Sequence, residues 1–192
     1  MGNTVEIRWH GRGGNGAFTA AKLLGHAASV YGNKYAQAFP SFGPERRGAP
    51  VRGFTRIDDE VITDHSQVYT CDAVFVLDET LCEVGGVFEG LKDDTVLVMN
   101  TTKTPEEVKE AYASMSDELA KIRVYTLDAT QMALDILGRP IVNTILLGAG
   151  VAATGIVELE DVLKAVDDMM GGGLAAKNKA AVEAAYKAVK EA

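Results

Sequence analysis

Val5-Glu6-Ile7-Arg8-Trp9-His10-Gly11-Arg12-Gly13-Gly14-Asn15-Gly16 is the stretch that decides how this chain is read. Val5 to Trp9 alternates apolar and polar side chains as a half-buried strand does, and Gly11 to Gly16 follows as a glycine-rich turn. Ala17 to Tyr31 then reads as a helix whose small face (Ala17, Ala20, Ala21, Leu24, Ala28) suits close approach to a sheet. Gly11-Arg12-Gly13-Gly14-Asn15-Gly16 therefore matches G-x-G-x-x-G between a strand and a helix. There, glycines let backbone N–H groups approach a pyrophosphate with the positive end of the helix dipole beneath it. The bland alternative is that the glycines only permit tight strand–helix packing.

Working outward, Tyr35 to Phe39 is a second strand and Pro40 to Pro50 a loop rich in Pro, Gly and Arg. Val51 to Ile57 and Val61-Ile62, separated by Asp58-Asp59-Glu60, suggest a β-hairpin. Ala73 to Leu77, Thr95 to Met99 and Arg123 to Leu127 read as strands, the first as one buried on both faces. Pro105 to Tyr112 and Asp117 to Ala120 read as helix, with Pro105 suited to a first turn. The C-terminal third is mostly helical: Leu159, Val162, Leu163 and Val166 form a 3.6-period stripe, and Gly171-Gly172-Gly173 precedes a last helix over Leu174 to Val189. The expected fold is α/β: a three-layer α/β/α Rossmann-like domain over residues 1–192, with a mixed, mostly parallel sheet and a β-hairpin insertion.

The second half of a dinucleotide signature is missing. An NAD site places Asp or Glu about 20 residues after the glycines to hold the ribose, yet no acidic residue occurs between Ile7 and Pro44. The loop after the second strand offers Arg46 and Arg47 instead, stiffened by Gly43-Pro44 and Gly48-Ala49-Pro50. A ligand with several phosphates and no ribose clamp fits better: coenzyme A, or NADP. Ligand phosphate and a partner subunit are equal claimants on the two arginines.

Composition narrows the class. Residues 1–57 carry eight Lys/Arg and two Asp/Glu, a net of +6, whereas residues 58–192 carry a net of −14. This segregation points to an anion-binding region on an acidic body rather than to nucleic acid, which the acidic remainder would repel. Ile141 to Val157, the longest apolar candidate, is broken by Asn143, Thr144, Thr154 and glycines, so no membrane span is expected. The N-terminus lacks a basic patch followed by an apolar stretch, and a cytoplasmic chain is expected. Cys71 and Cys82 are too few for an all-cysteine [4Fe–4S] site and too far apart for C-x-x-C, so no metal site is expected and two buried reduced thiols are the simpler reading. Of the remaining candidates, Asp78-Glu79 is read as a cap rather than acid/base machinery, His10 as a packed hydrogen-bonded side chain, and Trp9 as core.

His10-Gly11-Arg12-Gly13-Gly14 with Gly16, and Gln37 through Val51 with its Phe42-Gly43-Pro44-Glu45-Arg46-Arg47-Gly48-Ala49-Pro50 run, resemble the gamma subunit of pyruvate/2-ketoisovalerate:ferredoxin oxidoreductases, in the 2-oxoacid:acceptor oxidoreductase family. Phe54 to Ile57, Ser66 to Tyr69, Asn100 to Thr102, and Ile141 to Thr144 with Leu147 to Ala149 extend the resemblance over essentially the whole chain. The resemblance implies a pyruvate synthase-like complex of anaerobic metabolism that oxidatively decarboxylates pyruvate or 2-oxoisovalerate to acyl-CoA. Thiamine diphosphate and [4Fe–4S] clusters would lie on alpha, beta and delta partners, with ferredoxin as acceptor and this chain inactive alone. It implies that Gly13, Gly14, Asn15 and Gly16 cradle the coenzyme A pyrophosphate, that Arg46 and Arg47 neutralise phosphate, and that Asn143 lies near the adenosine end. The family usually has Gln where Asn15 stands, which puts a direct contact from that side chain in question. A stand-alone NADP-binding reductase and a nucleotide-binding regulator are the alternatives.

Overall fold

The computed structural model describes residues 4–41, 47–84 and 86–190. β1 (Val5–Arg12) runs past Gly11 into the turn, and α1 (Ala17–His26) ends in a π-helical turn over Ala27–Tyr31. β2 (Tyr35–Pro40), β3 (Pro50–Asp58), β4 (Cys71–Val76) and β5 (Leu91–Asn100) follow, with a 3-10 turn over Glu79–Cys82. Next come α2 (Pro105–Ala111), a 3-10 turn over Asp117–Ala120 and β6 (Arg123–Leu127). The chain closes with α3 (Ala129–Leu137), α4 (Asn143–Thr154), α5 (Leu159–Met169) and α6 (Gly172–Lys190).

The strands form one sheet in the order β2-β3-β1-β4-β5-β6. β1, β4, β5 and β6 are parallel neighbours, while β3 lies antiparallel between β1 and β2. The sheet is thus mixed and mostly parallel, with helices on both faces. The antiparallel hairpin is not the one expected. β3 pairs with β2 across the 41–49 connection, from Tyr35 opposite Asp58 to Pro40 opposite Gly53, and Val61 is 66% exposed. The reason lies in Arg56. Its guanidinium, 1% exposed, binds the carbonyls of Ser66 (2.7 Å) and Asp64 (3.3 Å), and this draws the segment after Asp58 across the sheet face instead of back along its edge.

The two faces differ in chemistry. On one, Ile7, Trp9, Phe75 and Val98 meet α1, α4, α5 and α6 in a continuous apolar core. Trp9 sits edge-on to Phe75 with centroids 4.5 Å apart and donates its indole N–H to the Thr55 hydroxyl at 3.1 Å. The other face has a smaller cluster around Phe54, Val74, Leu97 and Met99, covered by α2, the 3-10 turns and loops. Here Arg8 is 2% exposed and His10 1%. The Arg8 guanidinium donates to the carbonyls of Val87 (3.0 Å) and Glu89 (2.5 Å), and its Nε to His10 Nε2 at 2.8 Å.

α4 is buried from Asn143 to Ala153, pressed between the sheet and α6. Glycine makes this possible. A Cβ on Gly148 would stand 2.3 Å from the Val182 carbonyl oxygen, and one on Gly150 would stand 2.5 Å from the Phe75 ring. No described helix is long and apolar enough to cross a membrane.

Two outcomes follow from this packing. Gly148→Ala meets rigid backbone, so overpacking should lower unfolding stability by about 1–3 kcal/mol despite alanine's better helix propensity. Gly171→Ala, where a Cβ meets nothing within 4 Å, should stay within about 0.5 kcal/mol; urea unfolding of both variants checks this. Burial, then the neighbouring Arg8 and Arg52, hold the His10 imidazole well below its ordinary value, so the folded state keeps it neutral. Its stabilising contribution is complete above the unfolded value of about 6.5 and is lost as pH falls below it, at no more than about 1.4 kcal/mol per pH unit. His10→Gln keeps an acceptor for Arg8 but cannot titrate. It should flatten the fall in melting temperature between pH 6.5 and 5, and a slope equal to the wild type's would assign that fall to other groups.

Candidate functional site

The glycine loop sits at the carboxyl end of β1, where α/β sheets bind ligands. Gly14 and Gly16 have φ of 94° and 81°, the left-handed region that glycine enters freely, and Gly16 is the N-cap of α1. The turn is internally bonded: Asn15 N–H donates to the Arg12 carbonyl at 3.0 Å, and Ala17 N–H to Asn15 Oδ1 at 3.3 Å. The Asn15 amide oxygen is thus folded over its own loop as a cap for the helix.

The β2–β3 connection returns onto this turn. Gly13 N–H donates to the Ala49 carbonyl at 2.8 Å, and Gly48 N–H to the Gly13 carbonyl at 3.0 Å. Arg12 reinforces the clasp by donating to Gly48 O (3.0 Å), the Thr80 hydroxyl (2.7 Å) and the Asp78 carboxylate (2.6 Å). Desolvation alone would raise the Asp78 carboxyl. The Thr80 hydroxyl and Arg12 outweigh it, and the group lies below the usual carboxylate range. Asp78 also accepts from Thr80 N–H at 3.0 Å, which makes it the expected cap of the following turn. Glu79 faces elsewhere, bound to Lys103, the Thr101 hydroxyl (2.6 Å) and the Tyr112 hydroxyl (2.9 Å).

Six of the seven residues expected at the site meet in this corner. Arg47 Cγ lies 4.0 Å from where a Gly14 Cβ would be, so the arginine stem passes over the loop. The Asn143 amide nitrogen lies 2.6 Å from the position of a Gly16 Cβ, so only glycine leaves room for it. Asn143 is 5% exposed, and no described residue hydrogen-bonds its carboxamide. Arg46 lies outside the described residues. The Gly13 and Asn15 N–H groups are already bonded, whereas no described residue supplies an acceptor for those of Gly14 and Gly16. Arg47, at the exposed rim, supplies positive charge.

Arg12 is the positioning residue of this corner that the sequence hides, because its partner Asp78 lies 66 positions away. The only hint is an arginine in the variable position of a glycine turn. Cys71 and Cys82 are buried and unpaired, and burial pushes their thiols up to about 11 and about 12, which disfavours thiolate ligation. Among the described residues no three His, Cys, Asp or Glu side chains converge on a metal-sized site. A cleft of about 710 Å³ lies away from the glycine loop, along β6 beside Thr101 to Pro105. Two of its polar side chains, Thr101 and Lys103, are tied to Glu79.

Comparison with known proteins gives the family. Residues 6–188 match the pyruvate ferredoxin/flavodoxin oxidoreductase family. The chain is 52% identical over 186 residues to the pyruvate/ketoisovalerate oxidoreductases common subunit gamma of Thermococcus litoralis, covering 96% of this chain and 97% of that one. It is 51% identical over 182 residues to the pyruvate synthase subunit PorC of Methanocaldococcus jannaschii, covering 95% of each. The crystal structure of pyruvate oxidoreductase subunit PORC from Thermotoga maritima superposes with a TM-score of 0.80 at 40% identity, covering 96% of each chain. The chain belongs to the pyruvate ferredoxin/flavodoxin oxidoreductase family, as a gamma-type subunit.

Proposed function

We propose that this subunit supplies one wall of the coenzyme A site of a pyruvate or 2-oxoisovalerate:ferredoxin oxidoreductase. The observation that carries the reading is the meeting of the Gly14–Gly16 turn, Arg47 and the unpartnered Asn143 amide at the start of α1. Gly14 and Gly16 hold the pyrophosphate through backbone N–H groups, favoured by the helix dipole. Arg47, with Arg46, neutralises its charge. Asn143 faces the adenosine end, and Asn15 acts through the shape of the loop rather than by touching ligand.

The chemistry is placed on partners. Thiamine diphosphate and [4Fe–4S] clusters belong to alpha, beta and delta subunits, with ferredoxin as electron acceptor and the whole assembly cytoplasmic. A relative named as common to pyruvate and ketoisovalerate oxidoreductases supports this division, since a shared subunit is a poor place to tell two oxoacids apart. Coenzyme A, by contrast, is the reactant both reactions share. A free-standing NADP reductase finds less support in the topology. With β3 inserted, β2 stands two strand spacings, roughly 10 Å, from β1, so the end of β2 is no longer beside the ribose position of a dinucleotide.

In the assembled enzyme, Arg47→Ala removes a charge-assisted phosphate contact of about 1.5–3 kcal/mol. The KM for coenzyme A should rise roughly ten- to hundredfold, while the KM for the 2-oxoacid stays within about twofold. Steady-state kinetics with each substrate varied in turn decides it, and an unchanged coenzyme A KM removes Arg47 from the site.

A further inference from the structure

β6 lies at the edge of the sheet, and among the described residues β5 is its only neighbour. In that parallel ladder the Leu127 carbonyl accepts from Thr101 N–H at 3.0 Å. The N–H and C=O of one strand residue point to the same side, and the side alternates from residue to residue. Arg123, Tyr125 and Leu127 therefore turn their main chain to β5, and Val124 and Thr126 turn theirs outward. No described residue takes up those outward groups. The devices that ordinarily close an edge are absent: Val124-Tyr125-Thr126-Leu127 holds no proline, no charge and no bulge. These four residues are half-buried, whereas Val96 to Met99 of β5 are fully buried. Over the edge lies the cleft of about 710 Å³, between Thr101 to Pro105 and the Ala188–Val189 end of α6.

An open strand edge is matched by another strand, which carries donors and acceptors at the same repeat. Charge selects which strand. Arg123 opens β6, exposed and without an ion pair among the described residues. Asp128 follows its last residue, also exposed, and caps α3 through Oδ1 alone. Two copies of β6 laid antiparallel bring each Arg123 to the Asp128 end of the other, so the edge is complementary to itself. Parallel pairing would set like charges side by side. The outward groups then fix the register. In an antiparallel pair, residues that face each other through their main chains exchange both hydrogen bonds. Val124 opposite Thr126 of the copy, and Thr126 opposite its Val124, satisfies every outward group of both strands. The two Tyr125 residues then oppose each other on the two-fold axis. That is a non-hydrogen-bonded position, where side chains come closest and aromatic pairs are favoured.

We infer that β6 pairs with β6 of a second copy of this chain, antiparallel and centred on Tyr125, so that the six-stranded sheets of two gamma-type subunits join into one. The half-buried Tyr125 and Leu127, with Ala188 and Val189 beside them, supply the apolar contact that flanks the new ladder. The joint lies at the opposite end of the parallel strands from β1, and it leaves the glycine turn uncovered.

The test is disulfide trapping in the assembled complex, with diamide as oxidant. Across a non-hydrogen-bonded pair the Cα atoms stand about 4.5 Å apart, inside the ~4.4–6.8 Å that a disulfide spans. Tyr125→Cys should therefore give a band at twice the subunit mass on a non-reducing gel. The native Cys71 and Cys82 are buried and contribute none. Leu127→Cys alone should give no band, since its copy lies four residues along the pair, roughly 13 Å away. Arg123→Cys/Leu127→Cys should restore the band with Tyr125 intact. Thr126→Pro removes one outward N–H and keeps the ladder to β5, a placement that edge strands tolerate. Added to Tyr125→Cys, it should abolish the band. Absence of the band from both Tyr125→Cys and Arg123→Cys/Leu127→Cys overturns the inference. A disulfide to a different subunit overturns the second copy as the occupant of the edge. Trapping of Leu127→Cys as fast as Tyr125→Cys marks random collision and overturns the pairing.

Discussion

The clasp between the glycine turn and the β2–β3 connection is the constraint on which the site depends. Gly13 exchanges two backbone hydrogen bonds with Gly48 and Ala49, as neighbouring strands do, and this extends the β1–β3 ladder beyond its last pair, Arg12 opposite Pro50. The pairing brings a loop carrying Arg47 onto a turn that begins a helix. Arg12 then fastens the same loop to Asp78 and Thr80 at the end of β4, so three segments distant in sequence are tied together. A charge-assisted contact of this kind outweighs a neutral one by roughly twofold. Its value here is geometric, because it fixes the glycine turn and the Arg47 loop against each other.

The second sheet face is held by buried cations rather than by large helices. Arg8 and Arg56 are 2% and 1% exposed, and much of their hydrogen bonding goes to main-chain carbonyls: Val87 and Glu89 for Arg8, Ser66 and Asp64 for Arg56. Loops crossing a sheet leave carbonyls without ladder partners, and such groups are costly when buried. A planar guanidinium with five donors satisfies several of them at once. Glu6 supplies Arg56 with a carboxylate at 2.9 Å. Arg8 leans on His10, which has to remain neutral to accept from it. Much of the positive charge in residues 1–57 is therefore structural.

The sequence makes the strands of the parallel half legible, because their apolar runs are continuous. It also shows the glycine turn, the Asp78 cap and the end of the chain from Leu159 onward. The hairpin is misread because Asp58-Asp59-Glu60 resembles a tight turn, while the true partner of β3 lies across a long loop and nothing local announces it. α4 carries no amphipathic signal since it is apolar all round, as a fully buried helix must be. α3 had usable signals: Asp128 accepts from Gln131 N–H at 2.9 Å, and Gly138 closes the helix at φ 71°. Of the site, the glycines, Arg47 and Asn143 are readable. The Arg12 latch is not, because a pairing set by tertiary structure leaves no local periodicity.

Asn143 owes its position to packing far from the glycine turn. It is the first residue of α4, a helix with no freedom to shift: Gly148 lies against the Val182 backbone of α6 and Gly150 against Phe75 of β4. Those two contacts fix the depth of α4 against the sheet and its spacing from α6. They thereby fix how far the Asn143 amide reaches over Gly16. Gly16 in turn has no side chain because that amide fills the space. Glycines in this chain thus serve two distances, helix against sheet and amide against turn, and the first sets the second. On the proposed coenzyme A reading, a change inside α4 would act on ligand affinity without touching ligand, through the height of one carboxamide.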